Sequence, residues 1–559
     1  MSDRISRRHV IALAGGTALA AAAGIADPAP TAIATTSATT TGRRPSTTPL
    51  RSGLFSLGVA SGDPSPNGAV LWTRLAPKPL AGGGMPAQDV PVQWQVAEDP
   101  TFRRPIRSGT QTAQPTWAHS VHVELGGLRP DRQYWYRFRA AGSTEISPVG
   151  RLRTAPAANA GPDRLRWAVA SCQNWQEGLF TAWRDVAEQD LNFVAFLGDY
   201  IYESAPKTSG YVRRHEGTGE PTTLAQYRNR HAQYRGDRDL QAAHAAHAFI
   251  VTPDDHEIDN NWADDVPQDP KLQSLEQFRR RRIAALRAYW EHMPLPNSAR
   301  PHGPDARFYR RLSFGRLAEL SVLDTRQYRS DQPTSLAQAE NPARTMTGQQ
   351  QERWLINGLT SSGARWNLIG NQAMVAQNDR TAGGAQTFDF DCWDGYRAQR
   401  RRLLSTVHAA GVQNLVVLTG DRHATWVCDL KPDFDDPHSP VVGAELTGTS
   451  ISSGGNPDVK AFHRTFDPIK ADSPHWKFID NQRGYLLCEA DQTALKTELR
   501  TVTTITAPGG AVATYARFVT EAGVPGVTID AVKPRPVAQG PRLEQGPAGI
   551  LRLDDGTVN

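Results

Sequence analysis

Beyond about residue 163 the chain repeats one pattern, in which a short apolar run ends in a residue able to hold a metal or a phosphate. Leu165 to Ala170 leads into Ser171-Cys172, Phe193 to Leu197 into Gly198-Asp199, and Phe249 to Thr252 into Asp254-Asp255-His256. Leu317 to Leu323 leads into Asp324-Thr325-Arg326, Trp366 to Ile369 into Gly370-Asn371-Gln372, and Leu415 to Leu418 into Thr419-Gly420-Asp421-Arg422-His423. Helical segments separate these runs, so they predict buried strands of an α/β layer structure. Ligands of such folds bind beyond the carboxyl ends of the strands, so six polar strand ends predict one convergent site.

The earlier part of the chain follows a different pattern. Val70 to Thr73, Val92 to Val96, Ser120 to Leu125 and Tyr134 to Phe138 have strand character, broken at Asn67-Gly68, Gly82-Gly83-Gly84 and Arg129-Pro130. That spacing predicts a small β-sandwich over residues 51–155. Ala155 to Pro162 is rich in Ala, Pro and Gly and reads as a linker to a catalytic domain over 163–530. Residues 531–559 are Pro/Gly-rich, lack helical periodicity and read as a tail.

Residues 1–34 read as an export signal. Arg4, Arg7 and Arg8 precede an apolar, Ala/Gly-rich stretch from Val10 to Ile25, and Ala32-Ile33-Ala34 offers a small-residue cleavage site. The Arg7-Arg8 pair resembles a twin-arginine signal, with an ordinary secretory signal as the alternative. Residues 35–50, rich in Thr, Ser and Pro, read as a disordered tether. The expected location is therefore secreted or periplasmic.

Composition narrows the class. A length of 559 residues with 39% hydrophobic and 21% charged residues suits two globular units. The body has no apolar run of about eighteen residues, so no membrane span is expected in the mature form. A net charge of +5 without a basic, aromatic-interleaved stripe gives no reason to expect nucleic-acid binding. The run Arg279 to Arg282 reads as a solvated helix face. Cys172, Cys392, Cys428 and Cys488 lack any C-x-x-C spacing, which excludes a zinc ribbon or a disulfide-dense scaffold but leaves one disulfide open.

Asp, His, Asn, Tyr and Cys are the residue types that build a multi-metal site. A carboxylate such as Asp199 can bridge two cations about 3.5–4 Å apart, which together clamp a phosphoryl group and activate water. His256 is the candidate general acid for the departing alkoxide, and His423 the candidate group that positions or neutralises phosphate. The Cys172 thiolate and Tyr202 phenolate beside Asp199 suit ferric iron, with zinc the competing reading. Asp255, Asp421 and amides suit calcium. Asn261 either completes a metal shell or caps a turn, and Arg326 either grips phosphate or locks the Asp324 loop. Trp262, Trp393 and Trp426 read as pocket walls or core. Asp389, Asp391 and Asp394 read as a solvated acidic loop with some potential to bind a cation. No G-x-S-x-G occurs, which disfavours serine hydrolysis, and no His follows His256-Glu257 at zincin spacing.

With these motifs in order, the chain resembles the PhoD-type alkaline phosphatases of the calcineurin-like metallophosphoesterase superfamily over roughly residues 54–530. The likeness rests on Gly58 to Pro64, Leu71 to Arg74, Ala170 to Asn174 and Gly198 to Tyr202. It continues through Asp254 to Glu257, Asn260 to Trp262, Leu323 to Arg326, Gly420 to His423 and Gly448 to Ser450. It implies a four-layer α/β/β/α catalytic domain preceded by a small all-β (fibronectin III-like) sandwich, an iron–calcium site, and hydrolysis of phosphate mono- and diesters by metal-activated hydroxide. Carried over residue by residue, it makes Cys172, Asp199, Tyr202, Asp255 and Asp421 metal ligands and His256 the acid. Asn371 and Gln372 stand where the superfamily often has a further His. The expected partners are phosphate-ester small molecules or polymers and the twin-arginine export machinery, with the chain a monomer. Two alternatives remain, a phospholipase D-like or teichoic-acid phosphodiesterase, and a secreted β-sandwich binding protein with an inactive hydrolase domain.

Overall fold

A computed structural model describes residues 52–455 and 458–535, with the backbone of two short paired strands, Leu543–Gln545 and Leu551–Leu553. The export signal (1–34), the tether (35–50) and most of the tail (531–559) lie outside the described residues.

Alternation along the strands decides the layering. In Leu165–Ala170 and Phe193–Leu197, the side chains of Trp167, Val169, Phe193, Ala195 and Leu197 enter one core, whereas Ala168, Ala170, Val194 and Phe196 enter another. Successive side chains of a strand point to opposite faces, so apolar residues at every position require cover on both sides. One face is covered by a second sheet, through Leu320, Leu368, Val416, Leu418 and Leu446. The other is covered by helices that include Leu224–Arg235, Arg238–Ala246 and Leu275–His292. The second sheet's outer face, through Ile369, Val417 and Trp426, packs on helices Gly348–Ser361, Arg397–Ala409 and Val459–Asp472. The result is the expected α/β/β/α stack.

Within each sheet the strands that lead to the site run parallel. Leu165–Ala170, Phe193–Leu197 and Ala248–Thr252 are parallel neighbours in a ten-stranded sheet. Ala318–Val322, Trp366–Asn371 and Leu415–Thr419 are parallel neighbours in a seven-stranded sheet. Parallel strands bring their carboxyl ends to one edge.

The N-terminal part forms a β-sandwich, as expected, but one of its two sheets is shared. Val59–Ser65 pairs in parallel with Ala248–Thr252, placing Ser61 opposite Ala248, and then pairs antiparallel with Gly68–Arg74. The large sheet thus continues into the sandwich. Its strands contribute Val59, Leu71 and Val123 to a core completed by Val92, Val96, Tyr136 and Phe138 of a separate four-stranded sheet.

Two features differ from the sequence reading. The run Arg279 to Arg282 is only half solvated, because helix Leu275–His292 turns Arg281 and Arg282 inward, 4% and 2% exposed. Arg281 pairs with Asp259 at 2.9 Å, and Arg282 with Asp264 at 3.2 Å. All four cysteines are free and buried, so no disulfide forms among them.

Candidate active site

The strand ends of both sheets meet. Cys172, Asp199 and His423 offer ligand atoms within 4.8 Å of one another, as do Asp199, Asp255 and His256, and likewise Asp254, Asp255 and Asp421. Asp199 and Asp255 each belong to two of these groups, so the three form one cluster. Tyr202 joins it through its hydroxyl, 2.9 Å from Asp199 Oδ2 and 2.9 Å from His423 Nε2.

The backbone is bent to achieve this. Cys172, Asp199, Asp421 and His423 have φ of 58°, 58°, 65° and 51°, in the left-handed region that side chains disfavour. Each such residue costs on the order of 1–3 kcal/mol and persists only where the surroundings over-determine it. Gly198 precedes Asp199 at φ 100°, and a Cβ there would lie 2.3 Å from Asp254 Cβ. Only glycine lets the two carboxylate loops approach so closely.

The cluster is rich in acceptors and short of protons. His423 Nδ1 lies 2.8 Å from the Gly454 carbonyl, an acceptor only, so Nδ1 carries the proton and Nε2 is a lone-pair donor facing Tyr202. The Tyr202 hydroxyl has one proton for both Asp199 and His423, and its oxygen already accepts from Ser453 Oγ at 2.7 Å. Asp199 Oδ1 and Asp254 Oδ2 are buried without any hydrogen-bond partner among the described residues. Buried unpaired carboxylate oxygens are costly, and a cation is what this donor set lacks. The residues present therefore fit a metal centre.

Electrostatics gives the same answer. With protein groups alone, burial drives Asp199 well above the usual carboxylate range, Asp254 to about 8 and Asp421 to about 6. Burial acts on Asp255 as well, yet Arg326, His256 and the Asn261 amide together hold it well below that range. Burial works against the charge on His256, but Glu203, Asp199 and Asp255 raise it well above the ordinary histidine value. His423 is lowered to about 4 by burial and by Arg483. One histidine is cationic and the other neutral, which suits a proton donor beside a ligand.

Other sequence-predicted residues take different places. Arg326 is a correction. It is 1% exposed, its Nε donates to Asp254 at 2.5 Å, its Nη1 to Asp391 at 2.9 Å, and its Nη2 lies 3.6 Å from Asp255. A fork wedged among three carboxylates braces them, although its Nη2 has no hydrogen-bond partner among the described residues, so its contacts support a positioning role in place of the catalytic one. The Asn261 side chain is exposed at φ 54°, while its backbone N–H donates to Asp255 Oδ2 at 2.8 Å. Asn371 and Gln372 are absorbed by scaffold bonds to Trp393 and Thr325. The acidic loop is not a solvated one, because Asp389, Asp391 and Asp394 each hold an arginine, namely Arg422, Arg329 and Arg400. Trp262 is core, and Trp426 both core and pocket wall.

Four residues have roles that the sequence reading left unassigned. Asp254 belongs to a ligand group. Glu203 holds His256, and Ser453 holds Tyr202. Glu257 accepts from the backbone N–H groups of Asp199 and Asp254 at 3.2 and 2.7 Å, tying the two loops together. Asp254 and Glu257 flank residues already singled out, so adjacency was the only available signal. Ser453 lies far along the chain and gave none.

Known proteins share this architecture. A family model described as PhoD-like phosphatase matches residues 167–499, and its N-terminal domain model matches residues 40–156. Alkaline phosphatase D of Bacillus subtilis (strain 168) is 47% identical over 475 residues, which span 83% of this chain and 80% of that protein. The solved structure of PhoD aligns at 45% identity with a TM-score of 0.83, covering 87% of this chain and 94% of its own.

Proposed function

This chain belongs to the PhoD-like phosphatase family and is a phosphoric ester hydrolase of the alkaline phosphatase D type, and from that premise we propose that it is an exported, metal-dependent enzyme acting on phosphate mono- and diesters. The observation that carries the metal dependence is the orphaned Asp199 Oδ1 inside a buried cluster of four aspartates braced chiefly by one arginine. Cys172, Asp199 and Tyr202 would hold ferric iron, and Asp254, Asp255 and Asp421 calcium, with zinc in the thiolate position the less favoured assignment. Bound cations supply charge neutralisation at the phosphoryl group and a lowered pKa for water.

The chain's own groups do the rest. His256 carries a proton at pH 7 and delivers it from Nε2 to the departing alkoxide, while Glu203 keeps Nδ1 protonated and the ring oriented. His423, neutral and fixed by Gly454, keeps Nε2 as a ligand or phosphate-positioning atom. Arg326 holds Asp254 and Asp255 in place. The organisation we favour is a twin-arginine signal over 1–34, a tether over 35–50, the sandwich over 51–155, the catalytic domain over 163–530 and a tail over 531–559, in a secreted or periplasmic monomer. Among the described residues no helix is long and apolar enough to cross a membrane. A binding protein with an inactive hydrolase domain is set aside, since no expected ligand is missing.

The test is metal analysis of the purified protein with a visible absorption scan. Iron with calcium, and a tyrosinate-to-iron band lost in Tyr202→Phe, are expected. Asp199→Ala should abolish hydrolysis with an unchanged far-UV circular dichroism spectrum. Full activity after exhaustive chelation would end the metal reading.

A further inference from the structure

Between Asp199 and Tyr202 stands Tyr200, a fully buried residue with no place in the carboxylate cluster. Its backbone is pinned from two sides. The N–H donates to Glu257 Oε1 at 2.5 Å, and the carbonyl accepts from Gln173 Nε2 at 2.9 Å. Glu257 also takes the N–H groups of Asp199 and Asp254, and Gln173 directly follows Cys172. The Tyr200 backbone is thereby tied to the loops that carry Cys172, Asp199 and Asp254.

The Tyr200 side chain leads toward the sandwich. Its hydroxyl lies 2.8 Å from His244 Nε2 and accepts from Arg235 Nη1 at 3.4 Å. Arg235 ends helix Leu224–Arg235, is fully buried, and meets the sandwich with the rest of its guanidinium. Its Nη2 donates to the Leu57 carbonyl at 3.2 Å, and its central carbon lies 4.3 Å from the centroid of the Trp72 ring. Gln241 reinforces the joint, donating from Nε2 to the carbonyls of Arg235 and Ser56 at 2.7 and 3.0 Å.

Arg235 makes no ion pair among the described residues, and its Nε has no hydrogen-bond partner there. A buried charge without a carboxylate is unfavourable, and an apolar chain of similar volume in such a place is often neutral or stabilising. Packing alone therefore does not account for a guanidinium here. Its directed N–H groups do, because they join a sandwich carbonyl to the residue next to Asp199. The left-handed backbone of Asp199, at φ 58°, persists only with outside support of this kind.

We propose that Arg235 is a positioning residue for the metal centre, and that through it the N-terminal sandwich fixes the segment from Gly198 to Tyr202. The role presupposes the metal-dependent reading of the site and adds to it the residue that carries support from the sandwich. Without Arg235 the Tyr200 ring loses its anchor, and Asp199 and Tyr202 no longer hold their spacing.

The test uses the full-length protein with Arg235→Met, Tyr200→Phe and the double variant. The urea midpoint of metal-free Arg235→Met should stay at or above the wild-type value. Iron retention against a graded chelator should nonetheless weaken about tenfold, and the tyrosinate-to-iron band should shift. Tyr200→Phe, which removes only the hydroxyl, should weaken iron retention by a similar factor. The double variant should be no weaker than either single one, since both break the same line of contact. Iron retention within about twofold of wild type in either variant overturns the positioning role, as does a metal-free urea midpoint that falls in step with iron or an additive double variant. Should Arg235→Met fail to fold, Tyr200→Phe decides on iron retention and the absorption band. A wild-type protein that keeps full activity after exhaustive chelation overturns the metal reading instead.

Discussion

His256 Nδ1 lies 2.7 Å from Glu203 Oε2, and the other oxygen of that carboxylate accepts the Asn260 N–H at 2.9 Å. Glu203 is 3% exposed, so its carboxylate is shielded from water, whereas the His256 side chain is 20% exposed and its ring stacks on Tyr202 with centroids 4.1 Å apart. Glu203→Gln keeps a hydrogen-bonding shape but removes the charge that stabilises a protonated ring. Hydrolysis should fall about 10- to 100-fold, as for other groups that orient a catalytic ligand, with metal content retained. A variant with wild-type kcat would show that Glu203 has no part in orienting the acid.

Gly198 sets the spacing between two carboxylate loops. In Gly198→Ala the new Cβ meets Asp254 Cβ at 2.3 Å and the residue stays at φ 100°. The expected result is a loss of stability of at least about 2 kcal/mol in urea denaturation, together with reduced metal content, because Asp199 must shift. Retention of both stability and metal stoichiometry would contradict the close-approach argument.

Arg326 neutralises three buried carboxylates, so its removal leaves charge without a partner. Arg326→Met should destabilise the protein by about 3–5 kcal/mol, the usual consequence of breaking a buried pair from one side. Added calcium should restore part of that loss if the freed aspartates bind it, which thermal melts at graded calcium concentrations will measure. A loss under about 1 kcal/mol would mean that water already reaches the network.

Acid sensitivity follows from buried neutral histidines. Burial lowers His122, His215 and His231 from 6.5 to about 3 each. The unfolded chain takes up these protons near 6.5 and the folded chain only near 3, so acidification favours unfolding. The stability they contribute is complete above pH 6.5 and declines as pH falls from 6.5 toward 3, by up to about 1.4 kcal/mol per pH unit for each group. His231 offers the cleanest probe, since neither ring nitrogen has a hydrogen-bond partner among the described residues and the ring stacks on His292 at 5.1 Å. His231→Phe should leave stability at pH 7 within about 1 kcal/mol and make the acid slope shallower by one proton. An unchanged slope between pH 6.5 and 4 would refute the assignment.

Much of this molecule was legible before any fold was known. Residues such as Asp199 and Asp421 announce themselves because an ionisable group directly after a buried apolar strand has no place in a core. The four layers were legible for a related reason, since runs apolar at every position demand cover on both faces. Those are local properties of the chain.

What only the folded chain decided is which groups stand opposite which. Arg326 could equally face phosphate or aspartate until the loop after Ala248–Thr252 came within 2.5 Å of it. Arg281 and Arg282 looked solvated until Asp259 and Asp264 were brought beside their helix. The sharing of the large sheet with the N-terminal sandwich hangs on Ser61 pairing with Ala248, a contact no local pattern encodes. Strand character and burial come from near neighbours in the chain. Charge pairing acts over a few ångströms between segments remote in sequence, so its outcome belongs to the tertiary structure.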